Sequence, residues 1–295
     1  FSFRHWSHPK SHGGQSASNA RRPTGPRMTL FARCFLLVFC QLGVGGLLSL
    51  SVPPFHELER GFYKSSAGVF LSAALTGGLG TAWLWLTRDS SGVGLLEVLL
   101  WIVFLVLFSL YVSTLWGDAM AARARLYAWS LLTGAAALAA SGWSLFPDTG
   151  VVLHLLATLT TLISAATLGA VTTGMLIGHW YLIDPGMEIE PFHRCFRYFV
   201  GTVWAEIVAL VAVLAALLLI GVPADRDPLQ THLELLLLRV ALGPVAALAL
   251  SVMIRRVLAI PQTMAATGLF YIATLAVLVG ELLGRYFTFR TGLPL

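Results

Sequence analysis

The sequence predicts an all-α integral membrane protein of eight transmembrane helices, arranged as two pseudo-symmetric four-helix bundles. Three observations lead there: an extreme composition, eight long apolar runs, and a repeated motif. Of 295 residues, 57% are hydrophobic and 11% charged, with a mean hydropathy of +0.79. Soluble domains run at about 45–50% apolar and about 25% charged. This excludes an ordinary cytosolic enzyme, a disordered chain and a secreted disulfide scaffold. Cys34, Cys40 and Cys195 are too few and too scattered for a metal cluster, and they read as small buried hydrophobes.

Crossing a bilayer core takes about 20 apolar residues as helix. Eight runs qualify: 34–52, 66–87, 93–115, 127–146, 151–178, 199–222, 233–254 and 262–284. Lipid offers no partner to backbone polar groups, so each run is expected to be α-helical. Short alternating segments are absent, which argues against a membrane β-barrel.

The polar links carry the repeat. Pro54-Phe55-His56-Glu57-Leu58-Glu59-Arg60-Gly61-Phe62 leads into the second run. Pro191-Phe192-His193-Arg194-Cys195-Phe196-Arg197-Tyr198-Phe199 leads into the sixth, with the same P-F-H-x-x-x-R-x-F pattern at an offset of 137 residues. The same offset carries Leu96-Glu97 onto Leu233-Glu234. The chain thus divides into 28–147 and 148–295, two halves of equal orientation and hence a parallel repeat. The seam between halves is the default place for a site, and Gly174-x-x-x-Gly178 suits close helix approach there.

Residues 1–27 are polar and carry five of the nineteen Lys and Arg and none of the fourteen acids. They read as a disordered or non-native head. The remainder balances at fourteen basic to fourteen acidic residues. The formal charge of +5 therefore belongs to the head, and no nucleic-acid partner is expected. Arg and Lys placement in the loops puts the two P-F-H links on the cytoplasmic side of a bacterial inner membrane.

In each P-F-H element, Pro suits a first helical turn and places His and Arg on one face. The plain reading is an interfacial anchor with its rings in the acyl boundary. The sharper one is a pair of polar clusters around a ligand. The fifth run ends in His179-Trp180-Tyr181. His179 could hydrogen-bond a quinone carbonyl, or it could cap the helix. With His193, Arg197 and Gln262 on the same side, these residues form the candidate cofactor site. Quinone is the favoured ligand, with haem b or (bacterio)chlorophyll as alternatives. His154 and His232, both on the outer side, are the best candidate pair of haem or pigment ligands, and no other metal site is read.

Ionisable residues inside spans are functional candidates by default. Arg239 is expected to pair with Glu281 or Glu97 as a structural ion pair. Glu206 has no basic residue at its expected depth, so it reads as an unpaired, proton-active carboxyl.

The chain is not expected to be catalytic alone. In helix count and division into halves, the layout is similar to the membrane anchors of the polysulfide-reductase type. Those meet quinol and pass electrons to extrinsic partners. The likeness implies a subunit of a respiratory or photosynthetic electron-transfer complex, with lipid and other membrane and extrinsic subunits as partners. The alternatives are a small-solute transporter, or a structural or assembly subunit without cofactor. Transport predicts matching helix breaks in both halves. Only Gly243-Pro244 resembles one, opposite Val106-Leu107.

Overall fold

The computed structural model describes residues 27–87, 93–145, 150–184, 186–219, 231–260 and 262–293. The head assigned to 1–27 lies, but for Arg27, outside these residues. Helix follows helix: α1 (Arg27–Ser49), α2 (Arg60–Leu86), α3 (Leu95–Thr114), α4 (Met120–Ser144), α5 (Val151–Ile183) and α6 (Glu190–Leu219). The seventh rod is composite. It joins α7 (Leu233–Val240), a π turn (Ala241–Val245) and α8 (Ala246–Leu258). Last comes α9 (Thr263–Thr291), which runs seven residues beyond the expected end at 284.

Seven of these rods are long and apolar enough to cross a membrane. The exception is α4, where an eighth span was expected. Much of its sequence is Ala, Ser and Gly, and it carries Arg123 and Arg125. It still forms one continuous helix and packs on α1, α3 and α5. The chain is therefore a helical membrane protein.

One face of each rod is buried and the other stays apolar. On α3, Trp101, Phe104, Phe108 and Tyr111 point inward, while Leu99, Ile102, Val103 and Val106 are exposed. That spacing of three and four residues is the inward stripe of a helix. Apolar residues on the outward face suit acyl chains, where water would penalise them.

The middle of the molecule is the contact between α1 and α5, which is built on glycine. A Cβ on Gly45 would sit 1.7 Å from the Ala165 carbonyl oxygen. One on Gly169 would sit 2.0 Å from the backbone of Gly45. Backbone thus lies on backbone, as small residues permit between membrane helices. Gly174 and Gly178 lie elsewhere than expected. They receive Phe270 and Thr267 of α9, so they tighten the second half internally. The reason is rotation: one face of α5 serves α1 and another serves α9.

The two P-F-H elements differ locally. Pro191–Phe199 is helical from the first turn of α6, whereas Pro54–Glu59 forms turns before α2 begins at Arg60. The expected helical face of His56 and Arg60 therefore does not form in the first. Nor do the rings lie in the acyl boundary, since Phe62, Phe192 and Phe199 are fully buried. The elements face each other across the protein: Arg194 lies 3.6 Å from Glu57, Phe62 packs edge-on against Trp180, and Tyr181 stacks on Phe192. All three cysteines are buried and free.

Candidate functional site

The chemistry-bearing residues of the second half gather where α5, α6, α7 and α9 meet. Glu206 comes from α6, Arg239 from α7, and Glu281 and Arg285 from successive turns of α9. They are only 6%, 4%, 1% and 5% exposed. Arg239 donates through Nη2 to Glu206 Oε1 at 2.7 Å and to Glu281 Oε1 at 2.9 Å. Arg285 donates to Glu281 Oε2 at 3.3 Å and to the Thr161 hydroxyl of α5 at 3.3 Å. Gln41 of α1 donates to the Thr161 carbonyl at 3.2 Å. Two carboxylates against two guanidiniums leave no net charge, which is what makes burial tolerable.

The expectation of an unpaired Glu206 is corrected here. Residues 33 apart in sequence, Glu206 and Arg239 share one depth. The sixth helix begins at Glu190, nine residues before the apolar run at 199, so Glu206 lies deeper than that run implies. Of the two partners proposed for Arg239, Glu281 is the one present. Glu97 lies in the first half instead, accepting from Ser141 and Ser144 of α4. Its repeat mate Glu234 is exposed.

The network is not saturated. Arg239 Nε and Nη1 and Arg285 Nε have no hydrogen-bond partner among the described residues. A buried N–H left unmade costs about 1–3 kcal/mol. A cavity of about 20 Å³, lined by Ser164, Glu206, Arg239, Glu281 and Arg285, adjoins them. About 10–15 Å³ holds one water. Glycine makes the room: a Cβ on Gly243 would lie 2.3 Å from Arg239 Nη1, and one on Gly284 2.6 Å from Nε.

The π turn sits against this site. Pro244 has no N–H, and its ring would clash with the carbonyl four residues earlier. The wider turn at Ala241–Val245 accommodates it, and such turns recur at functional sites. Gly243 also touches α9, where a Cβ on Gly280 would lie 2.5 Å from the Gly243 Cα. Arg285, Thr161 and Ser164 were not singled out from sequence. For Arg285 a signal existed, since it stands four residues after Glu281 on one helix.

The residues placed around His179 do not converge. His179 is exposed, its Nδ1 3.3 Å from the Tyr271 hydroxyl. Trp180 is half-buried, and its Nε1 lacks a partner among the described residues. Tyr181 donates to the Glu188 carbonyl. His193 Nδ1 lies 3.2 Å from the Ile189 carbonyl oxygen. Arg197 donates to Glu190 at 2.8 Å, and Gln262 is exposed before α9. On the outer side, His154 stacks on Trp143 at 4.6 Å, while His232 is half-exposed at the start of α7.

Sequence reasoning also missed an aromatic cleft in the first half. Its volume is about 350 Å³, within reach of ligand pockets, which begin near about 300 Å³. Phe55, Tyr63, Tyr111, Tyr127 and Arg123 line it. Arg123 lies over the Phe55 ring at 5.1 Å and is anchored to the Thr114 and Gly117 carbonyls. Beside it, outside the spans, the Arg60 guanidinium holds the Asp118 carboxyl below the usual carboxylate range.

The fold and this site define a helical membrane protein with a buried ionic centre. No protein-family model, curated protein or solved structure matches the chain.

Proposed function

We propose that this chain is a polytopic subunit of a respiratory or photosynthetic electron-transfer complex in the bacterial inner membrane, and that its buried ionic centre handles protons linked to quinone chemistry. The observation that carries this reading is the network of Glu206, Arg239, Glu281 and Arg285, neutral, unsaturated and open to a water-sized cavity. Intramembrane ionisable groups are costly, and proton relays use them. A cavity of about 20 Å³ suits protons and water better than a larger solute. Glu206, bonded to Arg239 and lying against the Glu281 carboxyl, is the carboxyl best placed to exchange a proton. A quinone ring fits the aromatic cleft of Phe55, Tyr111 and Tyr127 better than the exposed His179. Quinone, when bound, would supply the two-electron, two-proton couple.

The neighbour relations support an origin by duplication. α1 packs on α2 and α4 as α5 packs on α6 and α9, and α4 meets α5 as α9 meets α1. The transport reading draws on one observation, the π turn beside the network.

Purification from native membrane tests the proposal through co-purifying chains, lipid extract and visible spectrum. Quinone or redox partners are expected; a solitary, colourless protein without quinone overturns the reading. Glu206→Gln should lower quinone-linked turnover about a hundredfold, in the range of acid–base roles. Glu206→Asp should restore part of it. Unchanged turnover in Glu206→Gln removes the proton role.

A further inference from the structure

A second surface feature stands apart from the ionic centre and from the aromatic cleft. Between α6 and α8 runs a groove of about 510 Å³. At one end stand Arg197 and Arg255; Val200, Trp204, Leu248 and Val252 form its walls. The two helices run antiparallel, so both arginines lie at the same membrane end. From Arg197 to Trp204 the groove descends about 10 Å, at about 1.5 Å per residue.

Charge at that end is in excess. Glu190 is the acceptor for both Arg194 and Arg197. Arg255 is exposed and makes no ion pair among the described residues, and Arg256 follows it. The walls face outward: Trp204 is 51% and Val252 46% exposed. An arginine pair above an apolar channel matches one kind of molecule, an anion that continues into a hydrocarbon chain. Water alone would leave the walls unfavourably wetted. A soluble anion would leave them unused.

We propose that this groove binds an anionic phospholipid, with its phosphate between Arg197 and Arg255 and one acyl chain along Val200, Trp204, Leu248 and Val252. Guanidinium groups suit phosphate through paired N–H donors. Basic pockets between membrane helices take such head groups. The proposal is independent of electron transfer and stands if that reading fails.

The test is native mass spectrometry of the full chain in mild detergent, titrated with phosphatidylglycerol or phosphatidylcholine of identical acyl chains. Phosphatidylglycerol should be retained more tightly. Arg197→Gln and Arg255→Gln should each weaken it about fivefold, the scale of one basic residue at an anionic surface. The double variant should bind both lipids alike. Trp204→Ala should weaken both lipids together. Equal retention by the unaltered protein, or an unaffected double variant, overturns the proposal. So does displacement of the lipid by inorganic phosphate alone, which assigns the arginines to a soluble anion. A co-purifying polypeptide that blocks both lipids, and is lost in Trp204→Ala, assigns the groove to a protein partner. Unfolding midpoints of the variants should match the parent, because these side chains are exposed.

Discussion

Each half of the molecule buries a carboxylate among membrane helices, and the two halves satisfy it differently. In the first, Glu97 of α3 accepts from the hydroxyls of Ser141 and Ser144, and Trp101 donates to Ser141 at 3.2 Å. The partners are neutral and local to α3 and α4. In the second, Glu206 and Glu281 are held by Arg239, and Arg285 adds a second cation. The partners are charged and drawn from three rods. A cavity adjoins both centres, about 40 Å³ at Glu97 and about 20 Å³ at the network. Unpartnered guanidinium nitrogens are found at the network. At Glu97 two hydroxyls donate to the carboxylate, and the cation that shares its cavity, Arg33 of α1, makes no ion pair with it among the described residues. A guanidinium shared between carboxylates leaves N–H donors over, and those donors can hold a water.

Removing the shared cation should give the largest effect. Arg239→Met leaves two carboxylates buried with one remaining guanidinium. Breaking a buried pair from one side costs about 3–5 kcal/mol. Unfolding of the detergent-solubilised variant should show a loss of that size, and a change below 1 kcal/mol on the order of surface substitutions would sink the view that Arg239 organises the site.

The first-half centre should be more forgiving. Glu97→Gln keeps the shape and one acceptor while losing one hydroxyl bond, so about 1 kcal/mol is expected in the same assay. A loss as large as that of Arg239→Met would erase the contrast between the halves.

The smallest effect is expected at the exposed pair of Arg60 and Asp118, 2.8 Å apart. Arg60 lowers the Asp118 pKa in the folded chain. Its contribution is therefore present above the unfolded carboxyl value of about 3.9 and fades as pH falls through the lower folded value. Asp118→Asn should therefore remove a small, salt-screened contribution at neutral pH, converge with the parent once pH falls below the folded carboxyl value, and so flatten the acid limb of stability. A neutral-pH loss as large as that of Glu97→Gln, or a loss confined to acid pH, would contradict a solvent-screened pair.

Much of this was legible beforehand. Run length and hydropathy located the helices, because a lipid-embedded backbone must bond within its own segment. The pairing of Arg239 with a carboxyl of the last rod followed from both standing near one boundary. Glu206 was misread because its depth was counted from an apolar run that begins at 199, whereas α6 begins at Glu190. The aromatic cleft could not be read, since Phe55, Tyr63, Tyr111 and Tyr127 come from four separate segments. Turn geometry at Pro54 broke the helix that the repeated motif implied.

By itself the sequence determined the material of the protein: α-helix, apolar on all sides, balanced in charge beyond its head. Composition and period suffice for that, because they act within one segment. Only the tertiary structure decided which charges meet. Glu206, Arg239 and Glu281 stand 33 and 42 residues apart, and their contact depends on the tilt, rotation and glycine-set spacing of whole helices. Those are properties of pairs of segments, and they determine whether a buried carboxyl is an isolated acid or one arm of an ionic centre.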